Sequence, residues 1–255
     1  MHTFILTVEY DGTRYHGFST MQKGKLEPTI SGKISNIIEQ LTGEIPTLVS
    51  ATRTEAGVHA LKQVVSFQTS TTLSPEQLKS KLNKRLPQDI VILDAQSTSK
   101  RFHATLNATS RTWLLRIQTG EIPDLFRQKY TLYLDTLPNI KLMQDTFSLL
   151  SGKHDFKHFT TVKKKKSTEK ELYSLNIIEK NDEMLLYLCG NDFLPHMPEI
   201  LFQLLLDIGL GRLDIHCVPS ILSGNLSYKT FCPCHALYLA DITYTERREH
   251  EYGTL

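Results

Sequence analysis

The hydrophobic period of this chain switches between two and about 3.6 residues in a fixed order, and that order limits the fold more than any single motif does. Phe4 to Tyr10 alternate as a strand and stop at Asp11-Gly12, a turn signal. Ile30, Ile34, Ile37, Ile38 and Leu41 then recur at helical spacing, with Pro28 ahead as a start signal and Gly43 behind as a stop. The apolar segment Ile45 to Val49 and the alternating run Val64 to Gln68 predict two strands on either side of a polar loop. Ser74-Pro75 opens a helix through Leu78 and Leu82, and Ile90 to Leu93 is the next strand. Strand, helix, strand, strand, helix, strand is the order of the ferredoxin-like split unit. From Ala108 the order restarts: a strand through Trp113 to Ile117, a helix Ile140 to Leu150, strands Leu172 to Glu179 and Met184 to Leu188, a helix Glu199 to Gly209, and a strand near Leu237 to Thr243. The expected class is α+β in two halves, residues 1–106 and 107–255, the second repeating the architecture of the first without repeating its sequence.

At 255 residues and 40% hydrophobic the chain can bury a full core. No apolar run approaches the roughly 20 residues that span a bilayer, and Met1-His2-Thr3 leads straight into a strand, so no membrane partner and a cytoplasmic location are expected. Four cysteines fit a reducing compartment. The spacing Cys232-Pro-Cys234, with Cys217 upstream, is not that of common zinc sites, and neither a metal nor a cofactor is expected. The net charge is only +2, so an RNA partner would be held by local patches. Such patches are Lys79, Lys81, Lys84 and Arg85; Arg127 with Lys129; and above all Lys163, Lys164, Lys165 and Lys166, in a stretch ending at Lys170.

Between the second and third strands lies Ala51-Thr52-Arg53-Thr54-Glu55-Ala56-Gly57-Val58-His59-Ala60. The loop offers a carboxylate, a guanidinium, an imidazole and hydroxyls on a tip backed by sheet, where Gly57 permits a sharp path. It resembles the catalytic loop of the TruA-type tRNA pseudouridine synthases, Ala-Gly-Arg-Thr-Asp-Ala-Gly-Val-His-Ala, with Thr52 at the glycine and Glu55 at the aspartate. The resemblance extends along the chain. Tyr10-Asp11-Gly12-Thr13-Arg14-Tyr15-His16-Gly17-Phe18 is similar to the family's opening motif with Phe18 replacing tryptophan. Further matches are Asn83 to Ile90, Phe102-His103-Ala104, Gly152 to Phe159, Gly190 to Met197, and Leu237-Tyr238-Leu239.

The resemblance implies that the two halves join into one mixed or antiparallel sheet with helices on one face and a central basic cleft. It further implies a homodimer and a tRNA anticodon stem-loop as substrate. Three positions carry the family's chemistry, and all three differ here: Glu55 at the aspartate that attacks or deprotonates the flipped uridine, Trp113 at a tyrosine whose ring packs on the base, and Glu199 at an arginine that pairs with the aspartate. Arg53, His59, Phe102, His103, the four lysines 163–166 and Lys170 are the RNA-binding candidates; Arg53 would fill the gap left by a flipped base. Three readings stay open: a tRNA-binding relative with lost or strongly reduced isomerisation; a divergent active synthase using Glu55, with a lysine such as Lys62 for the arginine; and a protein-interaction module using the cleft.

Overall fold

The computed structural model of the protein describes residues 1–19, 28–162 and 167–244. In the first half the elements are β1 (His2–Tyr10), α1 (Ile30–Thr42), β2 (Val49–Ser50), β3 (His59–Thr69), α2 (Pro75–Asn83) and β4 (Ile90–Thr98). In the second half they are β5 (Ala108–Thr119), β6 (Leu132–Leu134), α3 (Ile140–Leu150), β7 (Gly152–Asp155), β8 (Glu169–Lys180), β9 (Glu183–Gly190), α4 (Met197–Gly209), α5 (Cys217–Ser223) and β10 (Leu237–Tyr244).

Among the described residues these strands form one ten-stranded sheet in the order β4-β1-β3-β10-β5-β9-β8-β7, with β2 on β3 and β6 on β5. Two copies of one pattern are visible in it. The antiparallel set β4-β1-β3-β2 has the fourth-first-third-second arrangement of a ferredoxin-like unit, and β10-β5-β9-β8 repeats it. The halves meet where β10 pairs parallel to β3, Tyr238 opposite His59 and Leu239 opposite Ala60. Because β2 is only two residues long, most of the β3 edge is left for that pairing.

Local chemistry fixes the helix ends. The Thr29 hydroxyl accepts from Gly32 N–H at the start of α1, and Gly43 closes it in the left-handed region at φ 75°. Ser74 and Gln77 form a reciprocal capping box at α2, with Pro75 at the first helical position. Buried faces of α1, α2, α3 and α4 share one core with Trp113, Leu115 and Ile117 of β5, whereas Leu114 joins Tyr238 and Ala240 in a small cluster on the opposite face. The helices therefore lie on one face. Among the described residues no helix is long and apolar enough to cross a membrane.

Candidate functional site

On the helix face a cleft of about 1310 Å³ opens between α1 and the start of α4, with Trp113 on its floor and the 50–56 loop along one wall. The loop is pinned on three sides. Ala51 N–H donates to Val64 O at 2.8 Å, and the Gln63 amide donates to Thr52 O at 3.0 Å. The buried Thr54 hydroxyl meets the Tyr10 hydroxyl at 2.8 Å, while Thr54 O accepts from Phe18 N–H at 3.2 Å and Tyr15 O accepts from Gly57 N–H at 3.2 Å. The 10–18 motif is therefore the backing of the loop, and Gly17 shows why glycine is needed: its φ is +81°, and a Cβ there would lie 2.3 Å from Thr54 O. Asp89 in turn holds that backing, accepting from the Tyr15 hydroxyl at 2.7 Å and from Arg14 at 2.6 Å.

The fourth anchor is Arg111, nearly fully buried on β5. Its guanidinium donates to Ala51 O (3.1 Å), Thr105 O (2.8 Å), Ala108 O (3.1 Å) and Asn191 O (2.6 Å), and its Nε lies 3.7 Å from Asp192 Oδ1. One side chain thus ties the start of the loop in the first half to the end of β9 in the second. The motifs of the sequence do not single Arg111 out, since β5 carries a second arginine, Arg116, and several hydroxyl residues.

The pinned loop turns Arg53 and Glu55 toward the cleft, which α4 enters from the other side with Glu199. Glu199 is 2% exposed, and between it and Glu55 stands His196: Nε2 lies 3.8 Å from Glu55 Oε2 and Nδ1 lies 3.5 Å from Glu199 Oε1. The second distance is an ion-pair contact longer than a good hydrogen bond, and Glu199 Oε1 has no hydrogen-bond partner among the described residues. The Glu199 carboxylate raises the His196 pKa, with Glu55 adding to the effect and burial opposing it. Cys232 and Cys234 lie nearby with thiols pushed up, mainly by burial and further by Glu199; Cys234 reaches about 11. Both are therefore neutral thiols at ordinary pH. Among the described residues no group of three or more His, Cys, Asp or Glu is placed to hold a metal ion.

Trp113 lines the cleft but is only 3% exposed, its ring edge-on to Phe193 at 6.3 Å, and its indole N–H has no acceptor among the described residues. The site offers an aromatic floor with a donor and no hydroxyl at that position.

A family model of tRNA pseudouridine synthase matches residues 6–106 and 147–245. Two proteins named tRNA pseudouridine synthase A 2 and A 1, from Bacillus cereus and Clostridium tetani, are 35% and 34% identical over 247 residues, 96% of this chain and all of theirs. A tRNA pseudouridine synthase A of a Bacillus species is 32% identical over 246 residues, with the same coverage. The chain belongs to the tRNA pseudouridine synthase family.

Seen as a family member, the protein brings together some of the residues expected from its sequence and separates others. Arg53, Glu55, Trp113 and Glu199 line one cleft. His59 does not, and its assignment as an RNA contact is corrected: it is 2% exposed, its Nε2 lies 3.1 Å from His235 O, and Gly12 N–H reaches Nδ1 at 3.1 Å. A carbonyl can only accept, so Nε2 carries a proton; Nδ1 lies 3.1 Å from both Gly12 N and Asp11 Oδ1, and burial lowers the ring's pKa while the Asp11 carboxylate opposes the shift. His59 locks the loop to its backing. Phe102 packs on Tyr244 at 5.2 Å, and His103 accepts from Leu106 N–H at 3.3 Å; neither lines the cleft. Lys170 is mostly buried and donates to Asp192 at 2.6 Å, so its charge neutralises a carboxylate on the cleft wall. Lys62 pairs with Asp241 at 3.2 Å and does not line the cleft either. Lys163, Lys164, Lys165 and Lys166 lie outside the described residues. The charged lining that is described consists of Arg53, Glu55, Asp192 and Glu199, with the imidazoles of His16 and His196.

Proposed function

We propose that this cleft binds tRNA at the anticodon stem-loop and that uridine isomerisation in it is lost or strongly reduced. One observation carries the second half of this reading: Glu55 and the buried Glu199 line the same cleft on either side of His196, and Glu199 stands where the family resemblance expects an arginine. An arginine would hold a nucleophilic carboxylate ionised and in place. An ionised glutamate at that place offers neither a positive charge nor a hydrogen-bond donor. The hydroxyl expected on the base-packing ring is also missing at Trp113.

Binding has separate support. Arg53 is exposed on the cleft wall, with no ion pair among the described residues, and is available to a phosphate or a base. The lysines 163–166 follow directly on Thr161 and Val162, which line the same cleft. The remaining expectations, a homodimer, a cytoplasmic location and a division into 1–106 and 107–255, belong to the same reading. Fluorescence titration of a labelled anticodon stem-loop tests it. Replacing lysines 163–166 by glutamine should flatten the dependence of log affinity on log salt by roughly 0.7–0.9 for each phosphate that is no longer neutralised. An unchanged slope would contradict the placement of RNA on this side.

A second reading is favoured by the 3.8 Å approach of His196 to Glu55: an imidazolium there supplies the positive partner of an active synthase using Glu55. Lys62, paired with Asp241, does not line the cleft.

A further inference from the structure

The loop joining β9 to α4 presents His196 with its backbone in the left-handed region, φ 62° and ψ 4°, uncommon for a residue other than glycine. Its neighbours fix that turn: Thr160 Oγ1 donates to Pro195 O at 2.8 Å, Met197 N–H to Leu194 O at 3.0 Å, and Ile200 N–H to His196 O at 3.1 Å. The ring sits edge-on to Phe231 at 5.5 Å. Each ring nitrogen lies beside a different carboxylate, Nε2 3.8 Å from Glu55 Oε2 and Nδ1 3.5 Å from Glu199 Oε1, which is ion-pair range and not hydrogen-bond geometry. A neutral imidazole has one N–H and one lone pair, so it would point a lone pair at one of the two anions. Only the doubly protonated ring, with its positive charge, is attracted to both.

We infer that His196, as an imidazolium, is the positioning residue that holds the Glu55 and Glu199 carboxylates together across the cleft. The inference deepens the reading of the cleft as an RNA site, since it makes the charge met by RNA depend on one proton. Other elements bring further groups toward the ring. The chain before β10 brings Cys232 and Cys234, whose thiols stay neutral. The β1–α1 connection brings His16, the catalytic-type loop brings Arg53, and the end of β9 brings Asp192, already neutralised by Lys170 and Arg111. Loss of the proton removes a positive charge from beside two carboxylates that line the cleft. RNA binding therefore weakens as pH rises through the His196 titration, by at most about tenfold per pH unit for a single linked proton.

The test uses the full chain with histidines labelled at Cε1, followed by NMR across pH in the absence of RNA; His196→Asn, which tolerates a left-handed backbone, assigns the signal. The expected result is titration above the ordinary imidazole value of about 6.5, moving down in both Glu199→Gln and Glu55→Gln. Titration at or below the ordinary value, or no movement in either variant, would overturn the bridge. In a second arm, stem-loop affinity is measured against pH. It should fall with rising pH in the unaltered protein and lose that dependence in His196→Asn; a dependence that persists in the variant overturns the link to RNA. If the NMR arm gives its expected result and no RNA binds at any pH, the bridge stands and the reading of the cleft as an RNA site fails.

Discussion

Replacing Arg111 by methionine keeps most of the stem that packs inside β5 and removes the donors to four carbonyls. The four carbonyls do not suffer equally. Thr105 is exposed and Ala108 only half-buried, so their carbonyls can turn to water. Ala51 is fully buried and Asn191 O makes the shortest hydrogen bond, 2.6 Å, so these two bear most of the cost. An unsatisfied buried carbonyl costs about 1–3 kcal/mol, which puts the variant at about 3–5 kcal/mol once the two outer bonds are included at a fraction of their value. For a chain of this size that corresponds to about 6–20 °C in Tm. Denaturant titration at unchanged m-value measures it, with Arg127→Met as control: Arg127 pairs with Asp124 and Asp182 near the surface, and its removal should shift the midpoint far less than that of Arg111. A destabilisation below about 1 kcal/mol for Arg111→Met would refute the claim that this side chain ties the loop of one half to the other.

Gly17→Ala should destabilise by about 2–5 kcal/mol, because the left-handed backbone and the clash with Thr54 O add, whereas Gly43→Ala, also left-handed but in open space, should cost only about 1–2 kcal/mol. Equal effects in thermal melts would show that the contact with the loop is unimportant. Stability should peak near the unfolded imidazole value of about 6.5. Burial lowers the His59 pKa, so the unfolded chain binds the proton more readily and stability falls as pH drops below that value; the raised His196 pKa reverses the sign, so stability falls as pH rises from it toward the folded pKa. Urea midpoints across pH measure both limbs, and His196→Asn should remove only the alkaline one. Glu55→Asp alone should not restore isomerisation, since Glu199 still stands in place of the arginine; Glu55→Asp with Trp113→Tyr and Glu199→Arg should act as a unit, with effects that do not add. Full activity in the single variant would break that coupling.

The helices and most strands were legible because each carries its own period and its own caps, as Thr29 with Gly43 and Ser74 with Gln77 show. Less legible was what only the assembled sheet decides. The parallel pairing of β10 with β3 joins segments about 180 residues apart through two residue pairs and leaves no local pattern. The seven-residue α5, with Pro219 inside it, has no helical period to read, and β6 and β7 are too short to alternate visibly. At the site, Glu55, Trp113 and Glu199 were reachable because motifs flank them. His59 was misassigned because a polar residue in a loop motif looks exposed until β3 is seen to begin with it. His196 was passed over between Pro195 and Met197, since its role depends on a left-handed turn and on two carboxylates that come together only in the fold.

The central claim, a cleft that holds the RNA but in which isomerisation is lost or strongly reduced, is tested most directly by one measurement. Purified protein is mixed with a tRNA anticodon stem-loop at concentrations shown by titration to saturate it, and pseudouridine is mapped at each uridine over several hours. The account predicts saturable, salt-sensitive binding with pseudouridine far below one per bound RNA. Stoichiometric or catalytic conversion by the unaltered protein would contradict it.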